Sequence, residues 1–182
     1  GAIIMGIMSP ITGRLFDKFG PRILAFVGLT ITAFSTFLLT NLEVDSTYTY
    51  IIMIYTIRMF GMSMVMMPIM TNGLNQLPAK LYPHGTAINN TAQQVVGAIG
   101  TALFVTLMNS VATSKGKELI TGIDPTTITE AQIKGIEQAA LLEGIQFSFF
   151  IAAIVTIIAL VLTLFLKRVD ISRAAIEKLE KQ

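Results

Sequence analysis

Apolar stretches of membrane-spanning length alternate with polar segments along the chain. A helix needs about 20 apolar residues to cross roughly 30 Å of hydrocarbon, and four stretches reach that length. The predicted spans are residues 1–12 (partial), 23–42, 50–70, 86–110 and 144–166. The first segment would make only about 18 Å of helix, so it is too short to cross alone. The pattern predicts an all-α integral membrane protein with one partial and four complete transmembrane helices.

Polar segments separate these spans. Three short loops, one long hydrophilic stretch and a charged tail are predicted at residues 13–22, 43–49, 71–85, 111–143 and 167–182. Within the long stretch, Thr129 and Gln132 have the spacing of a helix-capping box. This spacing predicts a short helix that begins there and runs through Ala140.

Composition supports membrane insertion and excludes several classes of function. Hydrophobic residues make up 53% of the chain, charged residues only 13%, and the mean hydropathy is +0.69. Soluble domains carry about 25% charge. The chain has no cysteine, and no predicted span contains Asp, Glu or His. The sequence therefore predicts no catalytic residue, no metal site and no cofactor, and a protein that is not an enzyme.

The basic residues lie mainly on one side of the predicted membrane. Nine Lys and Arg fall on that side, in residues 13–22, 71–85 and 167–182, whereas the other side carries three lysines and seven acidic residues. Cytoplasmic loops are enriched in Lys and Arg. The distribution predicts a cytoplasmic C-terminus and an extracytoplasmic 111–143 stretch. Because the basic residues sit at span ends, the pI near 9.0 does not indicate nucleic-acid binding.

The first polar segment has an unusual order of glycine, acidic and basic residues. Residues 13–22 read Gly-Arg-Leu-Phe-Asp-Lys-Phe-Gly-Pro-Arg. Gly13 suits a turn at a helix end, Gly20 suits a tight turn, and Pro21 suits the first turn of the next helix. Asp17 precedes that helix, whose N-terminal dipole favours negative charge. The possible basic partners of Asp17 are Arg14, Lys18 and Arg22.

This order resembles the G-x-L-x-D-[RK]-x-G-[RP]-[RK] signature of the major facilitator superfamily, with Pro21 where Arg is more usual. In that family the signature lies on the cytoplasmic loop between the second and third helices of each six-helix half. The resemblance implies that the chain, which opens inside an apolar stretch without an initiator Met, corresponds to helices two to six of a second half. It also implies that residues 13–22 act as a conformational latch. The alternative is a topology signal with no moving role.

A second resemblance concerns the segment around the fourth predicted span. Residues 77–78, 85–90 and 93–103 read Leu-Pro, Gly-Thr-Ala-Ile-Asn-Asn and Gln-Gln-Val-Val-Gly-Ala-Ile-Gly-Thr-Ala-Leu. They are similar to the penultimate helix of fourteen-helix drug–proton antiporters, in particular multidrug and lincomycin-resistance-type exporters of Gram-positive bacteria.

The second resemblance implies export of drugs or other small amphipathic molecules across the bacterial cell membrane, by alternating access and driven by the proton gradient. The implied partners are the lipid bilayer, the missing N-terminal half of the transporter and the substrate. All eleven acidic residues fall outside the predicted spans, so the coupling carboxylate is expected in that missing half. A transporter of another solute and a structural membrane protein without transport remain open.

Arg58 is the charged residue that falls inside a predicted span. A cation there costs about 2.5 kcal/mol or more unless it faces protein or water. It either lines the central cavity or tunes a proton site supplied by the missing half. The alternative is that it pairs with a helix-end carbonyl or reaches toward the outer surface. The family's N-terminal half has Arg-x-x-x-Gly at the equivalent helix, and the interval from Arg58 to Gly61 is one residue shorter.

Polar residues lie at the cytoplasmic end of the fourth predicted span, and small residues lie in its middle. Asn89, Asn90, Gln93 and Gln94 form two i,i+4 pairs that could join helices at a gate or contact substrate, or could simply meet water in the headgroup zone. Gly97 and Gly100 permit close helix packing.

Overall fold

The computed structural model describes residues 2–43, 45–121 and 129–166, and every regular element in them is helical. The four α-helices are α1 (Ala2–Leu38), α2 (Tyr48–Leu74), α3 (Tyr82–Ile120) and α4 (Glu130–Thr163). Short 3₁₀ turns occupy Leu39–Asn41 and Ala79–Leu81. All four helices are long and apolar enough to cross a membrane. The all-α membrane fold is therefore confirmed, while the predicted tail, residues 167–182, lies outside the described residues.

The polar segment 13–22 is helical rather than a loop. Helix α1 runs through it and is interrupted only at Gly20, where φ is 78° and ψ is 170°. Only glycine adopts this conformation without strain, so the predicted turn at Gly20 is confirmed. The expectation of a turn at Gly13 is wrong, because Gly13 lies within the helix. A single residue of special backbone geometry redirects the chain, and helical residues flank it on both sides.

The segment 111–143 is also more ordered than its polarity predicted. Helix α3 continues to Ile120, and α4 starts at Glu130 after the predicted capping box, in which the Thr129 N–H donates to Gln132 Oε1 (2.9 Å). The helix does not end near Ala140 but continues to Thr163. Hydropathy marks where hydrocarbon ends, whereas a helix ends where its backbone hydrogen bonds do. With 39 and 34 residues, α3 and α4 are about 58 and 51 Å long and extend beyond a 30 Å hydrocarbon layer.

Helices α1 and α2 meet at a close crossing of two glycines. A Cβ built on Gly28 would lie 2.6 Å from the Gly61 carbonyl oxygen, and one built on Gly61 would lie 2.7 Å from the Gly28 carbonyl oxygen. Thr32 is buried beside this crossing, and its hydroxyl donates to the Gly28 carbonyl (2.8 Å). Small residues at a membrane helix interface let backbones approach and gain van der Waals contact. Glycine is required at both positions for this reason.

Helices α3 and α4 pack antiparallel through small residues. Gly144 lies against the backbone of Met108, and a Cβ at Gly116 would lie 3.7 Å from the Cβ of Ala140. Ser148 donates to the Gly144 carbonyl of its own helix (2.9 Å), with the Phe104 carbonyl of α3 at 3.4 Å. Together these contacts fix the register of α3 on α4.

A small apolar core joins α4 to the end of α1 and the start of α2. It consists of Leu39, Leu42 and Ile54, with Leu142 and Phe149 packed against it. The Gln146 side-chain amide donates to the carbonyl of Leu42. In contrast, α3 has no buried residue and makes little contact with α2, so a groove remains between these two helices. Two cavities lie in this groove.

Candidate functional site

The first cavity lies where α2, α3 and α4 converge, and Arg58 forms part of its wall. Its volume is about 330 Å³. The lining residues are Arg58, Phe104, Val105, Met108, Ile145, Ser148, Phe149 and Ala152. Apart from Arg58 and Ser148, every lining side chain is apolar. The arrangement is an open, mostly apolar chamber with a single cationic group.

The Arg58 side chain is half-buried and faces this chamber. It lies ten residues into α2, about 15 Å along the helix from Tyr48. No hydrogen bond or ion pair joins its guanidinium to any residue that the structure describes. Its five N–H donors are thus available to a ligand or to another part of the protein. This geometry is compatible with the cavity-lining role that the sequence predicts, which remains a prediction.

The second cavity lies at the other end of the α2–α3 groove, where Asn89 is found. Its volume is about 540 Å³. The lining residues are Ile69, Met70, Gly73, Leu74, Leu77, Gly85, Ile88, Asn89 and Ala92. The side-chain nitrogen Nδ2 of Asn89 is buried and has no hydrogen-bond acceptor among the described residues. Buried amide donors are normally paired, so this nitrogen calls for a water or an acceptor from elsewhere in the protein.

The other polar gate candidates are not part of either cavity. Asn90, Gln93 and Gln94 are exposed and line neither chamber. Asn89 is also separated from Phe104 by 15 residues of continuous helix, which is about 22 Å. The structure therefore keeps Arg58 and Asn89 at different depths, and a single small ligand does not reach both.

The charged residues of the 13–22 segment surround the break in α1. Asp17, Arg14, Lys18 and Arg22 are exposed, and Lys18 Nζ lies 5.4 Å from the centre of the Phe19 ring. A Cβ at Gly13 would be 3.7 Å from Cε of Met67 in α2. Residues four apart lie on one helix face, so Asp17 is on the side of α1 that faces α2. The latch role of this segment stays a prediction.

The predicted packing glycines of α3 have no neighbour within the described part of the chain. Nothing lies within 4 Å of a Cβ built at Gly97 or Gly100. Close helix approach occurs instead at Gly28, Gly61 and Gly144, none of which the sequence predicted as a packing position. One signal was available for the first of these, because Gly28 and Thr32 form a small-xxx-small pair. Packing at Gly97 and Gly100 stays a prediction about residues beyond those described.

Comparison with known proteins places the chain among transporters. The family model described as the Major Facilitator Superfamily matches residues 1–101. The chain is 45% identical over 168 residues to the lincomycin resistance protein LmrB of Listeria monocytogenes, covering 92% of this chain and 34% of that protein. It is 59% identical over 107 residues to the uncharacterized MFS-type transporter YhcA of Bacillus subtilis, covering 59% of this chain and 20% of YhcA.

A more distant relative has a name that mentions export. The tetracenomycin C resistance and export protein of Streptomyces glaucescens is 30% identical over 110 residues, covering 60% of this chain and 20% of that protein. No solved structure matches the chain. The chain spans between a fifth and a third of the length of these relatives. The family match covers more than half of this chain and includes the Gly13–Arg22 signature, so the chain belongs to the major facilitator superfamily.

Proposed function

We propose that this chain is the C-terminal part of a proton-coupled exporter of drugs or other small amphipathic molecules in the bacterial cell membrane. The observation that carries the proposal is the 45% identity to a lincomycin resistance protein over 92% of the chain. A relative named for resistance and export supports the same direction of transport. In this proposal the protein is a carrier that moves its substrate unchanged, not an enzyme.

The two cavities support a carrier of amphipathic molecules. Both are lined mainly by apolar side chains, and each contains a polar side chain without a partner among the described residues. Such chambers orient a ligand through a few polar groups and bind the rest through apolar contact. Alternating access would expose them in turn to the two sides of the membrane as the two halves of the transporter rock against each other.

We propose that the proton-coupling carboxylate lies in the part of the transporter outside this chain. Coupling needs a group that gains and loses a proton within the membrane, usually an Asp or Glu whose pKa is raised by burial. Neither cavity of the α2–α3 groove is lined by an acidic residue.

The full-length transporter is expected to lower bacterial susceptibility to lincomycin or to other amphipathic drugs. The measurement is growth of an exporter-depleted strain that expresses the gene, over a panel of drugs, with and without a proton uncoupler. Accumulation of a transported drug should rise to the level of the empty-vector strain when the uncoupler is added. If the protein reaches the membrane and susceptibility to every drug in the panel is unchanged, the transported solute belongs to another class. The similarity to YhcA, an uncharacterized MFS-type transporter, is compatible with that outcome.

The C-terminus is expected on the cytoplasmic side. The chain has no cysteine, so single cysteines can be introduced at chosen positions. A cysteine at Ser114, which is exposed near the end of α3, should react with an impermeant maleimide added to intact cells. A cysteine at Ser172 should react only after the membrane is permeabilised. The opposite labelling pattern would contradict the orientation inferred from the distribution of Lys and Arg.

A further inference from the structure

We propose that the cavity at Arg58 binds the anionic head of an amphipathic organic anion, such as a carboxylate, sulfonate or phosphate attached to an apolar body. The proposal narrows the substrate class of the proposed exporter to organic anions. Only the idea that the bound anion is a transported substrate rests on the proposed export function. Binding itself is measurable without transport, so the two proposals can fail separately.

Arg58 has no acidic partner in its cavity. No acidic side chain lines its cavity. The acid closest in sequence to the α4 wall, Glu143, lines a different pocket together with Lys115 and Glu118, which form their own ion pair (3.0 Å). The described residues therefore leave one uncompensated cation inside a mostly apolar chamber. A cation at membrane depth normally has an anionic or carbonyl partner, and an anionic ligand would supply it.

The Ser148 hydroxyl is the other polar group in the cavity wall, and it already donates its proton within α4. Its hydroxyl proton is given to the Gly144 carbonyl (2.9 Å), so the oxygen offers only acceptor lone pairs to the chamber. The hydroxyl is therefore not poised to hold the anion, and Arg58 is the donor on which head-group binding depends.

The rest of the wall selects the body of the ligand. Two phenylalanines, Phe104 and Phe149, together with Met108, make the chamber suitable for an alkyl or aromatic group. Apolar surroundings also strengthen an ion pair at Arg58 and weaken the binding of a cationic ligand. A volume of about 330 Å³ accommodates a small amphipathic molecule.

The anion could come from a free solute or from a phospholipid. Arg58 lies eight residues beyond Tyr50, the predicted start of the span, which is about 12 Å into the hydrocarbon layer. A phospholipid phosphate would have to leave the headgroup zone to reach it, whereas a free amphipathic anion can enter the chamber whole. The test therefore varies the lipid separately from the probe.

The experiment uses the full-length transporter in phosphatidylcholine nanodiscs and a pair of photoreactive probes, a diazirine-bearing lauric acid and the matching dodecylamine. The acid should crosslink to peptides containing residues 104–108 or 145–152, and the amine should not. Arg58→Gln should weaken acid binding about tenfold or more, since it removes a charge-assisted hydrogen bond. Arg58→Lys should keep part of the affinity. Lys117→Gln, which removes an exposed cation outside this cavity, should leave the affinity unchanged.

Two further measurements identify the source of the anion and control for misfolding of the Arg58→Gln variant. Competition by added phosphatidylglycerol would assign the site to a lipid headgroup, and its absence would assign it to a free anion. Ala152→Phe fills the chamber without removing the cation, and it should also abolish crosslinking. This variant tests the site if Arg58→Gln fails to fold. Equal labelling by the acid and the amine in the wild-type protein, or unchanged acid binding in a folded Arg58→Gln variant, would overturn the proposal. If the protein exports no drug but still binds the acid, the anion-site proposal is supported and the proposed export function is not.

Discussion

Replacing Asp17 with Asn in the full-length transporter is expected to reduce drug export about tenfold or more while membrane insertion stays normal. The substitution keeps the side-chain shape and removes its charge. Asp17 lies on the face of α1 that is turned toward α2, three residues before the break at Gly20. If its charge favours one conformation of the transporter by about 1.4 kcal/mol, losing it shifts the population tenfold. Initial rates of drug efflux, normalised to the amount of protein in the membrane, measure the effect.

Arg22→Ala is the matched comparison for this variant. It should reduce efflux less, because Arg14 and Lys18 remain close to the same acid in the chain. Wild-type efflux by Asp17→Asn would mean that the 13–22 segment is a topology signal and not a latch. Loss of the protein from the membrane would instead assign Asp17 a role in folding.

Replacing Gly61 with Val is expected to prevent correct folding of most of the protein molecules. The new Cβ would lie 2.7 Å from the Gly28 carbonyl oxygen and 2.8 Å from Thr32 Oγ1, and both belong to the facing helix. Backbone atoms cannot move aside as a flexible side chain can, so α1 and α2 must separate. Overpacking of this kind costs about 3 kcal/mol or more, a large share of a total stability of about 5–15 kcal/mol. Fluorescence-detected size-exclusion chromatography of a fusion to a fluorescent protein measures the folded fraction and its melting temperature.

The control for Gly61→Val is a glycine in open space. Gly135 lies inside α4, and nothing stands within 4 Å of a Cβ built on it. Gly135→Ala should leave the melting temperature unchanged or raise it, because alanine is favoured over glycine by about 1 kcal/mol in a helix interior. Comparable stability of Gly61→Val and Gly135→Ala would contradict the close crossing of α1 and α2.

The sequence alone was sufficient to predict the fold class and the turn at Gly20. Twenty-residue apolar runs have few stable alternatives to a membrane-spanning helix, since lipid offers no hydrogen-bond partner to the backbone. The capping-box spacing of Thr129 and Gln132 likewise located the start of α4. Helix ends in the polar regions were predicted less well, as α3 and α4 show. Polar residues continue a helix readily where it packs against another, and the Gly116–Ala140 contact lies in that part of the hairpin.

The sequence predicted individual residues of the candidate site, but it did not predict which residues come together to form it. The rarity of a charge within a span singled out Arg58, and its unusual cost is a property of the residue itself. The wall opposite Arg58 comes from Phe104 in α3 and Phe149 in α4, and nothing in the spacing of these residues indicates that they share a chamber. The same limitation applied to the glycines. Gly97 and Gly100 have the pattern of a packing face, yet Gly28 and Gly61 form the close crossing.

The sequence by itself determined that this chain is a set of membrane helices of the major facilitator type, because helix length, hydropathy and the 13–22 signature are local properties. The tertiary structure alone decided which helices touch, where the cavities open and which polar groups remain without partners. These depend on the crossing of α1 with α2 and the register of α3 on α4, which are set by contacts between residues far apart in the chain. Helix association in lipid gains little from hydrophobicity and is governed by close packing of surfaces. Apolar side chains fit lipid and neighbouring helices almost equally well, so their pattern leaves the choice of partner to the three-dimensional fit.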